Sequence, residues 1–274
     1  MQTDKFINTS LSIKGLRGLI EANDIAIPEI QRPFVWKPSQ VRDLIDSLFK
    51  GFPTGYIILW KNPNVKLKDG TISSGKKVVI DGQQRITALM TSIAAKNVFN
   101  AEFKETRVKI AFNPFAALDY IKNGNTEAEM FAVQTPAHLK SSNWITDIAE
   151  VFDMKFASYK FIPSYVERNP NMDGDDLQMV LSMLKGIEAI QMGVIELSES
   201  LEIDVVTDIF IRINSKGISL SQGDFVMSKM AADEVHGGNT LRKIVDYYSH
   251  LSVVPSYYDM RIRNQVNSTC KFCA

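Results

Sequence analysis

The residues best suited to chemistry are gathered in one short segment, Asp81 to Arg85, with the sequence Asp-Gly-Gln-Gln-Arg. The segment follows a run rich in β-branched residues and precedes an apolar stretch with helical spacing. Asp81 can hold a metal or accept a proton, and Gly82 permits a tight turn. Gln83, Gln84 and Arg85 occupy a predicted helix N-terminus, where N–H groups and the helix dipole favour an anion. The pattern favours a phosphate or a charged nucleotide as the ligand.

A purely structural explanation of the same segment is open. Asp-Gly is an ordinary turn, and polar residues at a helix start are ordinary caps. The crowding of five polar or turn residues between an apolar strand and an apolar helix favours a binding site, because buried polar groups need partners.

Two further polar clusters lie where predicted elements end. One is Gln31 with Arg32, and the other is Arg212 with the segment 214–217, which includes Asn214 and Lys216. An arginine side chain can bind two phosphate oxygens in a bidentate arrangement, and side-chain amides both donate and accept hydrogen bonds. Each cluster also has a structural alternative: residues 214–217 could be a helix C-cap, and Arg32 could stack on Trp36.

Composition narrows the classes of function. The chain has 274 residues, with 31 basic and 31 acidic side chains, so the formal charge is zero and non-specific DNA binding is not favoured. The polar N-terminus and the lack of a long apolar run predict a soluble cytoplasmic protein without a membrane partner. Cys270 and Cys273 have zinc-ligand spacing, but no other cysteine exists; the pair is either inert or the start of a further zinc or nuclease segment.

Other chemistries are poorly supported by the sequence. The three histidines, at positions 138, 236 and 250, are far apart and lack metal-ligand spacing. No Ser-His-Asp or Cys-His arrangement is indicated, and neither a Gly-x-x-x-x-Gly-Lys-Ser/Thr loop nor a Gly-x-Gly-x-x-Gly loop is present. A phosphate site in this chain must therefore be of another type.

Hydrophobic spacing predicts alternating strands and helices, with mainly helical structure from residue 144. Helices are expected at 11–20, 38–49, 84–95, 114–120, 175–190, 204–211, 224–232 and 241–251. Strands are expected at 25–28, 56–60, 77–80, 107–112, 130–133 and 193–197, with a polar hairpin-like excursion at 62–76.

Three motifs in this order resemble the DUF262 family, the N-terminal module of GmrSD-type modification-dependent restriction proteins, within the ParB/sulfiredoxin-like superfamily. The motifs are residues 27–36, the segment Asp81 to Arg85, and residues 210–217 with 220–221. The resemblance spans roughly residues 10 to 235. Many members carry tyrosine where this chain has Ile30.

The resemblance implies an α/β (α+β) fold, with a small mixed sheet and helices followed by a mainly helical lobe. A nucleotide-binding core over residues 1–140 would be completed by a lobe over 141–274. It also implies NTP binding and hydrolysis with Mg²⁺ or another divalent cation. Asp81 would be the metal-linked carboxylate, and Gln83, Gln84 and Arg85 would complete the catalytic set. The nucleotide contacts would be Gln31, Arg32, Gly82, Arg85, Thr87, Arg212, Asn214 and Lys216.

Family members often continue into an HNH nuclease, and nothing in this sequence supplies its histidine-rich centre. The resemblance therefore implies a regulatory module that reaches DNA through a fused or partner nuclease, with a homo-oligomer as a further option. The rival hypothesis is a non-enzymatic module whose cleft recognises DNA. A third is an inactive structural domain.

Overall fold

The computed structural model describes residues 5–22, 24–26, 34–61, 65–66, 72–73, 76–100 and 104–202, together with positions 205–206, 208–209, 212, 241, 244–245 and 248. Its strands are β1 (Phe6–Ser12), β2 (Ile25–Ala26), β3 (Tyr56–Lys61), β4 (Val65–Lys66), β5 (Ile72–Ser73), β6 (Lys77–Asp81), β7 (Val98–Phe99), β8 (Glu105–Thr106), β9 (Ile110–Phe112), β10 (Phe131–Val133) and β11 (Gln191–Leu197). Its helices are α1 (Ile13–Glu21), α2 (Pro38–Phe49), α3 (Gln83–Ser92), α4 (Pro114–Asn123), α5 (Pro136–Lys140), α6 (Ala149–Phe152), α7 (Ser158–Arg168) and α8 (Gly174–Gly186), with a 3₁₀ turn at Ile187–Ala189.

Within these described residues, five strands form the central sheet in the order β1-β11-β3-β6-β2. The β1–β11 and β3–β6 pairs are antiparallel, whereas β11–β3 and β2–β6 are parallel. The expected mixed sheet with helices is confirmed, and with it the α/β (α+β) class. The strand pairs β9–β10, β4–β5 and β7–β8 lie outside this sheet.

One face of the sheet packs on helices in a large apolar cluster. Strands β3 and β6 contribute Ile57, Leu59 and Val79, and α2 and α3 supply their apolar stripes. The helical members include Val41, Leu44, Ile45 and Leu48 of α2, Ile86 and Leu89 of α3, and Leu177, Val180, Leu181 and Leu184 of α8. The predicted α2 forms with Pro38 at its start, because the fixed φ of proline suits the first turn.

The opposite face of the sheet is also buried. Ile58, Trp60 and Leu197 form a second cluster with Val206, and Ile80 and Ile209 pack against it. Positions 205, 206, 208, 209 and 212 are helical, which agrees with the helix predicted over 204–211. The sheet therefore lies between two apolar layers.

Several boundaries differ from the sequence predictions. The helix expected from residue 11 begins at Ile13, because residues 6–12 form β1 and Ser12 Oγ accepts a hydrogen bond from Gly15 N at 3.0 Å. The helix expected to reach residue 190 ends at Gly186. Positions 241, 244, 245 and 248 are helical, whereas the helix predicted at 224–232 lies outside the described residues.

The division at residue 140 stays a prediction. Strand β11, from the second predicted lobe, pairs with β1 and β3 in the central sheet. The apolar cluster likewise contains residues from both sides of position 140. None of the described helices is both long enough and apolar enough to cross a membrane.

Three charged side chains join neighbouring strands at one end of the sheet. Lys61 of β3 lies directly opposite Lys77 of β6, an arrangement that is unfavourable by itself. Glu196 of β11 offsets it, with carboxylate oxygens 2.7 Å from Lys77 Nζ and 3.4 Å from Lys61 Nζ. Burial by itself would raise the pKa of Glu196, but the hydrogen bond and charge of Lys77, with the charge of Lys61, bring it below its ordinary value.

Replacing Glu196 with Gln should therefore lower stability in a pH-dependent way. A carboxylate whose pKa is lowered in the folded state stabilises it above the ordinary pKa and loses that effect as pH falls through the lowered value. The melting-temperature difference between wild type and Glu196→Gln should be largest near neutral pH and shrink in acid. Asp43→Asn, which removes an exposed pair with Arg42, is the control and should change little at any pH. An equal loss at all pH values would contradict the assigned charge effect.

The aromatic cluster should be a major source of stability. The Phe112 ring is fully buried, with centroids 5.8 Å from Phe49 and 4.9 Å from Phe131. Phe112→Ala should lower the free energy of unfolding by about 3–5 kcal/mol, since it removes a buried ring and leaves a cavity. Met154, which is 97% exposed, supplies the control Met154→Ala with an expected change near zero. Urea unfolding measures both, and similar values for the two variants would refute the packing assignment.

Candidate active site

A β-bulge determines where Asp81 points. Leu59 pairs with Val79, but Ile58 pairs with Asp81, so Ile80 is an extra residue in β6. Because directly paired residues share a face, Asp81 lies on the same face as Ile58 rather than on the helix-packed face of Leu59 and Val79. The bulge thus turns the carboxylate away from the large apolar cluster at the end of the strand.

The turn from β6 into α3 requires glycine. Gly82 is buried, has φ +91° and is the N-cap of α3. A Cβ at this position would lie 3.1 Å from Ile57 Cγ1 and 3.2 Å from Ile57 Cα. Both the backbone conformation and the close approach to β3 therefore exclude a side chain, so α3 begins without a side-chain cap from its own N-cap residue.

Arg85 holds the start of β3 against the start of α3. Its Nη1 donates a hydrogen bond to the Tyr56 carbonyl at 2.7 Å. The guanidinium also lies against two positive-φ glycines, since a Cβ on Gly55 would be 3.2 Å from Nη2 and one on Gly82 would be 3.4 Å from Nη1. One face of the predicted site is therefore built from two glycines and an arginine.

Gln84 connects a third segment, which contains Val35, to the start of α3. Its Oε1 accepts a hydrogen bond from Val35 N at 3.0 Å. Val35 belongs to the first sequence motif, whose described part begins at the buried Phe34. Residues distant in sequence thus meet where β6 ends, a region we call the rim: Val35, Gly55, Tyr56 and residues 81–85.

Asp81 is half-buried at the rim. In the described parts of the chain, its carboxylate accepts no hydrogen bond and forms no ion pair. Among the described residues, no group of three or more His, Cys, Asp or Glu side chains is placed to hold a metal ion.

The family of the chain can now be decided. The family model of the GmrSD restriction endonuclease N-terminal domain matches residues 13–231. The chain belongs to this family. Uncharacterized protein MJ0686 of Methanocaldococcus jannaschii is 24% identical over 236 residues, which cover 75% of this chain and 39% of that protein. The chain thus spans about two fifths of the length of this relative.

The predicted site residues of this GmrSD-family domain fall into two groups. The structure brings Asp81, Gly82, Gln83, Gln84 and Arg85 together at the rim, with Thr87 half-buried farther along α3. Arg212 is exposed and helical. The remaining predicted contacts, Gln31, Arg32, Asn214 and Lys216, lie outside the described residues, as do Cys270 and Cys273. All the assigned roles stay predictions.

Gly55 and Tyr56 also belong to the rim, although no sequence motif pointed to them. Residues 56–60 were expected to form a buried strand, and the next four residues after Tyr56 are buried. Tyr56 itself is 60% exposed. The signal available in the sequence was a glycine directly before the strand, but only the contact with Arg85 shows what that glycine does.

Replacing Gly82 with Ala should destabilise the domain more than the same change at Gly51. Both glycines have positive φ, but a Cβ at Gly51 would have nothing within 4 Å. Gly51→Ala therefore measures only the cost of placing a side chain on a backbone with positive φ. We expect Gly51→Ala to lower the free energy of unfolding by ~1 kcal/mol and Gly82→Ala by ~2–3 kcal/mol, since a contact with Ile57 is added. Chemical denaturation measures the difference. Equal losses would show that Ile57 moves aside freely.

Proposed function

We propose that the domain binds a nucleoside triphosphate at the rim and hydrolyses it with Mg²⁺ or another divalent cation. The observation that carries the proposal is the β-bulge that turns the unpaired Asp81 carboxylate out beside the start of α3. A half-buried carboxylate beside a helix start can hold a metal ion or accept a proton.

The chemistry of the rim suits phosphoryl transfer. This reaction depends on positioning and on neutralising charge rather than on a protein nucleophile. A helix start favours phosphate oxygens, and one carboxylate with phosphate oxygens is a usual environment for Mg²⁺. When bound, the ion would supply charge neutralisation on the phosphate chain, with Asp81 as its protein ligand.

The other rim residues have different roles, which follow from their contacts. Arg85 Nη1 donates a hydrogen bond to the Tyr56 carbonyl, so part of the role of Arg85 is to hold β3 against α3. Gln84 accepts a hydrogen bond from Val35 N, so part of its role is to hold the first motif at the start of α3, and in this proposal it also positions phosphate or water. Gln83 stands first in α3 and would orient the attacking water or a phosphate oxygen.

The family supports a role in a restriction or phage-defence system, which in this proposal acts in the cytoplasm. In this proposal the NTP site regulates a nuclease, and contact with DNA comes through an HNH-type domain in the same polypeptide or on a partner. The proposal does not require this chain to bind DNA, which agrees with its formal charge of zero. Self-association of the domain stays a prediction.

Asp81→Asn should abolish metal-dependent phosphate release and leave the fold intact, because no described contact depends on its charge. Asp175→Asn is the matched control: Asp175 is exposed in the first turn of α8 and should not affect turnover. Thermal stability with ATP, GTP, CTP and UTP, each with and without magnesium, comes first, followed by phosphate release for any nucleotide that raises it.

The outcomes separate the hypotheses. A metal-dependent shift and phosphate release, both lost in Asp81→Asn but not in Asp175→Asn, support the proposal. No shift with any nucleotide, together with DNA affinity that falls steeply with salt, supports the DNA-recognition module instead. Unfolding of Asp81→Asn would assign the segment a structural role.

A further inference from the structure

We propose that the exposed ring of Tyr56 stacks on the base of the nucleotide, so that this residue distinguishes a nucleotide from a bare phosphate chain. The inference rests on the proposed function and adds a base-binding residue to the rim. The described aromatic residues of the first motif, Phe34 and Trp36, pack on the large apolar cluster, whereas Tyr56 lies on the same face of the sheet as Asp81.

The position of the ring follows from strand geometry. Tyr56 is two residues before Ile58 in β3 and lies on the same face, and Ile58 is paired with Asp81. Tyr56 is thus a diagonal neighbour of Asp81, at a separation of ~7–8 Å for such pairs. A ribose and its first phosphate can bridge a gap of that size, so a base on Tyr56 would leave the phosphate chain beside Asp81.

The ring is exposed and yet held in place. It lies over Gly193 of β11, the residue paired with Tyr56, and a Cβ on Gly193 would be 2.5 Å from Cδ1 and 2.6 Å from Cε1. Only glycine allows the ring to rest on the neighbouring strand in this way. The backbone of Tyr56 is fixed as well, because its carbonyl accepts the hydrogen bond from Arg85.

An exposed aromatic ring with a fixed orientation suits a planar ligand. Such a ring loses little side-chain entropy on binding, and stacking is available to every base because each has a π face. Single exposed apolar residues are common and need no explanation. Tyr56 differs from them through the glycine beneath its ring and the carboxylate and helix start beside it.

The test compares ligands that contain a base with one that does not. Binding of ATP, GTP, CTP, UTP and inorganic tripolyphosphate, each with magnesium, is measured by calorimetry on the full chain. The variants are Tyr56→Leu, which keeps an apolar group over Gly193, and Tyr56→Phe, which keeps the ring. Tyr159, on α7 and 73% exposed, provides the control Tyr159→Ala.

Tyr56→Leu should weaken the binding of the nucleotides that wild type binds by roughly 5- to 150-fold, the range for losing one stacked base, and leave tripolyphosphate unchanged. Tyr56→Phe and Tyr159→Ala should bind as wild type does. An equal loss for tripolyphosphate, or no loss for nucleotides, would overturn the stacking role.

Two results with the wild-type protein show whether the base contact alone or the proposed function itself is wrong. Tripolyphosphate binding as tightly as every nucleotide overturns the base contact and leaves the proposed phosphate site standing. No binding of any of these ligands overturns the proposed function, and the stacking role falls with it.

Discussion

The close approach of Gly82 to Ile57 is the constraint on which the rest of the rim depends. With no Cβ between them, the first residue of α3 follows directly beside β3, and the third residue of the helix, Arg85, can reach the Tyr56 carbonyl at 2.7 Å. Gln84, one position earlier, then faces Val35. A larger residue at position 82 would press against Ile57 and strain these contacts together, since all of them span that one junction.

The β-bulge is the second feature on which the rim depends, because it determines on which face of the sheet Asp81 lies. Both faces of the sheet carry an apolar cluster, so a carboxylate that pointed into either cluster would lie among apolar side chains. A regular register would place Ile80 opposite Ile58 and direct Asp81 toward the helices, where an unpaired carboxylate would be strongly unfavourable. The extra residue shifts Asp81 to the other face at the strand end, where it is half-buried. The bulge therefore reconciles a doubly covered sheet with a polar group at its edge.

Local sequence signals predicted the elements whose boundaries are set locally. Helix α2 has proline at its start and Gly51 two residues after its end, and the turn at Gly82 has its Asp-Gly pair. The rest depends on pairing between distant residues. Strand β1 forms against β11, whose paired residues are 179 to 191 positions away in the sequence, although the residues of β1 are mostly exposed. The bulge and the exposure of Tyr56 are likewise properties of register, which one strand read alone does not contain.

The same dependence on register bears on regulation. The rim joins segments near residues 35, 56 and 85 that belong to different elements, and side-chain hydrogen bonds from Gln84 and Arg85 contribute to the junctions between them. A ligand that bound across these segments would stabilise their joint arrangement over any arrangement in which one has separated, by an amount set by its affinity and concentration. A site assembled in this way couples occupancy to the packing of α3 on β3 without a separate switch element. Any downstream contact that requires α3 and β3 in register would then depend on the ligand, which is the property a regulatory domain needs.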